Sequence, residues 1–268
     1  MVIKLKDLIS IMEATAPPSL KESYDNVGLM VGDSNKTVKR VLLALDCTEE
    51  VIDEAVSKDI DAILTHHPLI FKKPSSITTD TLQGRKIIKL ISNNISVYSS
   101  HTNLDSVHRG MNDTLMDILE INNNIILEPD LVSDIKYSGI GRIGEIRECT
   151  LGDFIHHIKQ KLHLDNLRYT GDLNKTISKV AVINGSGQDY FSLALKYGAH
   201  CIVSGDTTYH YVSDYEEMGC NIIDIGHFPS EWLTFITLMK KVMDNNKEKL
   251  KGVTFLISEK CKDPYKYI

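Results

Sequence analysis

VLLALDCTEEVIDEAVSKDIDAILTHH, residues 41–67, decides the architecture of this chain. Residues 41–45 form a short apolar run of strand length. Asp46 followed by Glu49 has the look of a helix start, and 50–58 continues as the helix. Residues 62–65 form a second apolar strand that runs directly into His66 and His67. Strand, helix and strand in close succession make the unit from which parallel sheets are built. Laid over it without gaps, VAVINGSGQDYFSLALKYGAHCIVSGD, residues 180–206, reads the same way. Each copy is followed by a further strand and a His-x-x-x-acid spacing. Residues 96–100 lead to His101 and Asp105, and 221–225 lead to His227 and Glu231. The recurrence of both element and spacing predicts an α/β protein of two similar lobes facing each other, the product of an internal duplication.

Outside these units, residues 81–92, 112–119 and 152–162 have helical apolar stripes. Residues 188–197 read as the helix of the second unit. Pro229 fits the first turn of a closing helix over 229–243. Residues 122–152 carry Glu128-Pro129 and the glycine-rich SGIGRIGE, and are expected to be an irregular link. The division implied is a first lobe over 1–125 and a second over 126–268, with 225–268 packing back on the first. Gly185-Ser186-Gly187 is read as a tight turn in preference to a phosphate cradle.

The composition, 42% apolar and 25% charged over 268 residues, supplies a core that need not depend on metal. A net charge of −6 without a basic stripe argues against nucleic acid as a partner. No apolar run is long enough to span a bilayer, and residues 1–14 read as an amphipathic helix, not a signal peptide. Five scattered cysteines without a C-x-x-C pair argue for reduced thiols in the cytoplasm and against a thiolate zinc module.

The chemistry lies where the strands end, because open α/β sheets bind ligands beyond the carboxyl ends of their strands. His66 and His67, Asp105, and His227 and Glu231 all follow predicted strands. Three imidazoles and two carboxylates, with no thiolate, suit two divalent ions such as zinc, iron, manganese or cobalt. One carboxylate bridging two ions leaves coordination positions open, as in a reactive site and unlike a closed structural one. His108, His156, His157, His163 and His200 are set aside as surface or hydrogen-bonded residues. His210, in the loop SGD…YH, is either a catalytic or supporting group or a surface residue.

PPSLKESYDNVGLMVGD (17–33), THHPLIF (65–71), SHTNLD (100–105), GRIGE (141–145), SGD…YH (204–210) and DIGHFPSE (224–231) occur in one order along nearly the whole chain. In these motifs the sequence resembles the Nif-three-like family, whose bacterial members are labelled GTP cyclohydrolase 1 type 2 homologues. The resemblance implies two interlinked α/β lobes and a dinuclear metal site between them. It implies His66, His67, Asp105, His227 and Glu231 as ligands, with Glu231 as the bridge and His101 close by without ligating. It also implies a ring-shaped homohexamer, and a short form lacking the domain that some members insert in mid-chain. The activity expected is hydrolysis of a small, nucleotide-like metabolite, with His101 or His210 moving the proton. The alternative is a non-catalytic metal carrier or regulatory metal-binding protein.

Overall fold

The computed structural model describes residues 2–268. The chain divides into two units, one ending at Leu104 and completed by Leu238–Lys262, the other comprising Asp105–Thr237 and Asp263–Ile268. The first unit runs α1 (Leu5–Thr15), β1 (Gly28–Val31), β2 (Arg40–Ala44), α2 (Glu49–Ser57), β3 (Ala62–Thr65), α3 (Leu82–Ser92) and β4 (Ser96–Ser99). The division falls within α4 (Thr102–Ser106). Then follow α5 (Met111–Ile118), β5 (Asn122–Pro129), β6 (Gly139–Thr150), α6 (Leu151–Leu162), β7 (Arg168–Tyr169) and β8 (Thr176–Ser186). Next come α7 (Phe191–Lys196), β9 (Cys201–Gly205), α8 (Tyr209–Glu217) and β10 (Asn221–Asp224). Helix α9 (His227–Asn245) and strand β11 (Thr254–Ile257) close the chain. Among the described residues no helix is long and apolar enough to cross a membrane.

Each unit holds one sheet, so the fold is mixed α/β with two sheets. The first has the order β1-β4-β3-β2-β11 and the second β5-β6-β8-β9-β10-β7. An antiparallel edge strand followed by three parallel strands recurs in both, as β1-β4-β3-β2 and as β7-β10-β9-β8. The registers correspond too: Val41 faces Ala62 and Val180 faces Cys201, positions that coincide in the gapless overlay. Strands β3 and β4 are buried along their whole length, as parallel strands covered on both faces must be. In β8 the two-residue period splits the core of the second unit. Val180 and Val182 pack with Met116, Phe154 and Ile158 on one face, and Ala181 and Ile183 with Phe191 and Ile222 on the other.

Two local expectations are corrected. Helix α2 is capped by Thr48, whose Oγ1 accepts from the Val51 N–H at 3.2 Å, so Asp46 is not its cap. Residues 122–152 are not a link: they form strands β5 and β6, and β6 pairs on both sides. The glycines and the arginine of GRIGE concealed that strand. Arg142 lies inside the unit, 1% exposed, and its Nε and Nη2 meet the two oxygens of Asp113 at 2.9 and 2.7 Å. Its Nη1 donates to the carbonyls of Gly139 and Gly141, each at 2.8 Å. The division also differs from the one expected at 125/126. Helix α5 supplies Leu115 and Met116 to the core of the second unit, so that unit begins before it.

Breaking a buried, bidentate ion pair leaves one charge uncompensated. Arg142→Met is therefore expected to lower stability by about 3–5 kcal/mol in urea unfolding. A loss under about 1 kcal/mol would show that Asp113 does not depend on the guanidinium.

Candidate metal centre

In the first unit three histidines stand just beyond the parallel strands β3 and β4. One ligand atom from each of His66, His67 and His101 lies within 4.8 Å of the others. Their ring centroids are 5.2 Å apart for His66–His67 and His66–His101, and 5.6 Å for His67–His101. Each ring is held through the same nitrogen. His66 Nδ1 lies 2.9 Å from the Ser100 carbonyl, His67 Nδ1 2.8 Å from Asp46 Oδ1, and His101 Nδ1 2.9 Å from Asp25 Oδ1. A carbonyl or ionised carboxylate only accepts, so Nδ1 carries a hydrogen in each ring, and in the neutral ring Nε2 keeps its lone pair. Metal-binding histidines are held in this way, by an outer partner that fixes tautomer and orientation.

Asp25 is itself built in. Burial alone would raise its carboxyl, but hydrogen bonds from His101 and Thr102 outweigh that and hold it well below the usual carboxylate range. Thr102 supplies both its N–H at 3.1 Å and its hydroxyl at 2.5 Å. Asp25 is thus an acceptor at neutral pH, and His101 Nδ1 keeps its hydrogen.

In the second unit the same device recurs at β9 and α9. His227 Nδ1 lies 2.7 Å from Asp206 Oδ2. Its Nε2 is 3.1 Å from Glu231 Oε2, one helical turn further on and 3% exposed. Here the expected strand-end histidine is corrected: His227 is the first residue of α9, and its i,i+4 spacing to Glu231 puts both on one helix face. Asn184, at the end of β8, joins the second carboxylate to the first. Its Nδ2 lies 2.8 Å from Asp105 Oδ1 and 3.4 Å from Glu231 Oε1.

Every sequence-derived ligand candidate therefore has its geometry described within its own unit, His66 and His67 in the first and Asp105, His227 and Glu231 in the second. His101 joins the histidine group of the first unit. His210 does not join the His227 group: it is exposed in the first turn of α8, its ring against that of Tyr209. Sequence reasoning missed Asp25, Asp46, Asn184 and Asp206 as partners of the donors. Three of them had a readable signal, since Asp46, Asn184 and Asp206 each stand in or just beyond the end of a parallel strand.

The donor set fits a cation. In the neutral ring with its hydrogen on Nδ1, His227 Nε2 and Glu231 Oε2 offer one cation two donor atoms 3.1 Å apart, a place that a proton on Nε2 also fills. Asn184 Oδ1, buried in the same cluster, has no hydrogen-bond partner among the described residues. Thiolates do not compete: burial pushes the Cys47 thiol up to about 12 and the Cys201 thiol well above its ordinary range.

A family profile described as Duf34/NIF3 (NGG1p interacting factor 3) matches residues 3–264. A Clostridium perfringens relative named GTP cyclohydrolase 1 type 2 homolog is 56% identical over 268 residues, covering 99% of this chain and 100% of its own. Among solved structures, a Bacillus cereus protein related to NIF3 superposes with a TM-score of 0.91 at 27% identity, with 100% of each chain covered. A Staphylococcus aureus hypothetical protein gives 0.91 at 32% identity, also over 100% of each chain.

The irregular stretch near the end of β8 tests how closely Glu231 is held. Gly185 has φ +62°, and a Cβ there would collide with Glu231 Oε1. Gly198 has φ +80° and open space around it. Gly198→Ala should cost about 1–2 kcal/mol, the left-handed penalty alone, and leave metal content unchanged. Gly185→Ala should cost more and lower retained metal. Equal losses in the two variants would mean that the approach to Glu231 is slack.

Proposed function

The chain belongs to the Duf34/NIF3 family, and from that premise we propose that it holds two divalent transition-metal ions and hydrolyses a small, nucleotide-like molecule. The ligands in this reading are His66, His67, Asp105, His227 and Glu231, with Glu231 bridging. The observation that carries it is the common hold on His66, His67 and His227, each ring fixed through Nδ1. Zinc, iron, manganese and cobalt all suit this mixture of imidazole and carboxylate.

Held by these residues, two ions would lower the pKa of a bound water toward neutrality. The remaining work belongs to the side chains. Asp46 and Asp206 hold Nδ1 of His67 and His227 and so fix the orientation of both rings. Asn184 keeps Asp105 and Glu231 in one orientation by donating to both. His101, anchored by Asp25, is the group assigned to move the proton, since its Nε2 is presented beside those of His66 and His67. The exposed position of His210 makes it the weaker candidate for that role. A ring-shaped homohexamer belongs to the same proposal on the family resemblance, and a cytoplasmic location on the five scattered cysteines without a C-x-x-C pair.

Protein kept from chelators should carry up to two transition-metal ions per chain by elemental analysis. Glu231→Gln should lose at least one and remain folded, because a core of this size does not depend on metal. A saturated content of one ion, or full occupancy in Glu231→Gln, contradicts the bridged pair.

A metal-dependent activity screen over nucleotides and related metabolites separates hydrolase from carrier. The reading predicts saturable turnover that His101→Ala largely abolishes while keeping its metal. Readily exchanged ions without turnover of any substrate would establish the carrier instead.

A further inference from the structure

Within the second unit a cleft of about 350 Å³ opens between edge strand β7 and helix α8. That volume is at the lower end of small-molecule sites. None of its lining residues is among the proposed metal ligands, so the following inference stands or falls apart from the metal reading.

The floor is apolar, from Val212 and Ile222, and the walls carry two aromatic rings, Tyr169 and Tyr209, which are 44% and 79% exposed. Arg168 enters the cleft with its guanidinium steadied at one corner. Its Nη2 donates to the Asp224 carboxylate and, at 3.3 Å, to the Thr207 carbonyl. Asp224 is 4% exposed and otherwise fully engaged, taking the Thr207 hydroxyl at 2.6 Å and the Gly226 N–H at 2.8 Å. The guanidinium is thus pinned, while the side chain as a whole is 71% exposed, so N–H donors remain for a ligand. Glu216 lines the same cleft from α8, and one of its oxygens accepts from the Gly171 N–H at 3.3 Å.

Charge decides which ligand fits. Arg168 is neutralised by Asp224, and Glu216 adds a negative charge, so the cleft holds no net positive charge to draw a phosphate. What it offers is a fixed donor, a carboxylate acceptor and exposed aromatic faces. Planar rings stack on tyrosine faces whatever their sequence or substituents. A donor and an acceptor lining the same cleft then select the edge of the ring.

We propose that this cleft binds an uncharged, planar nitrogen heterocycle with a lactam edge, an N–H beside a C=O. The ring stacks on Tyr169 and Tyr209, the N–H donates to Glu216, and the carbonyl accepts from Arg168. A site built to pair such an edge rejects analogues that lack it, because the unmatched polar groups are left without partners.

Titration calorimetry on the full chain tests this with inosine, 1-methylinosine, adenosine and inorganic phosphate, before and after chelation. Inosine should bind with a submillimolar Kd in both preparations. 1-Methylinosine, which lacks the N–H, and adenosine, which lacks the C=O, should bind about tenfold or more weakly. Tyr209→Ala and Glu216→Ala should each weaken inosine by about fivefold or more, the lower end of what loss of one base–aromatic stack produces. Both side chains are exposed, so their melting temperatures should match the parent, and Glu217→Ala should bind inosine normally. No inosine binding at millimolar concentration, equal binding of 1-methylinosine, indifference to both variants, or competition by phosphate alone would each overturn the proposal.

Discussion

An imidazole aims one nitrogen reliably only if its other nitrogen is held. Four histidines of this chain meet that constraint in the same way, His66 through a backbone carbonyl and His67, His101 and His227 through carboxylates. The acceptors fix the tautomer, and the rigid ends of parallel strands fix three of the acceptors. Ser100 follows β4, Asp206 follows β9, and Asp46 stands just beyond β2. The sheets therefore do more than bury apolar surface, since their carboxyl ends set the positions from which donors are presented.

The second unit shows how far local structure is shaped around the donors. Gly185 takes a left-handed backbone conformation where Glu231 comes against it. The Gly185 N–H is satisfied by Ser230 Oγ at 2.9 Å, which in turn donates to the His227 carbonyl at 2.6 Å. The first turn of α9 is thereby stitched to the end of β8, and Asn184 stands beside that stitch with its amide between two carboxylates. Glycine is required there for room and for conformation together. The tight turn expected over 185–187 is corrected, since Gly185 and Ser186 belong to β8 and Ser186 pairs with Gly205 past an irregularity in the register.

Much of this was legible in the sequence because parallel strands announce themselves as short apolar runs. Residues 62–65 were placed to the residue, and the echo between 41–67 and 180–206 anticipated the shared strand order of the two sheets. What escaped had physical reasons. Strand β6 was hidden because its interior arginine finds its partner, Asp113, 29 positions away in sequence, and no periodicity reports such a pairing. Helix α9 was placed two residues late because Pro229 looked like its first turn, while the helix begins at His227. The partner of His101 could not be found by spacing either, since Asp25 precedes it by 76 residues and meets it only through the fold.

The account rests on metal bound through the nitrogens that these partners leave presented. Anomalous diffraction from crystals of protein purified without chelators, collected at the absorption edge of the metal found, tests it most directly. The account predicts two peaks per chain, bonded to Nε2 of His66, His67 and His227 and to the carboxylates of Asp105 and Glu231. A single peak, or coordination through Nδ1 with the carboxylate partners displaced, would contradict it.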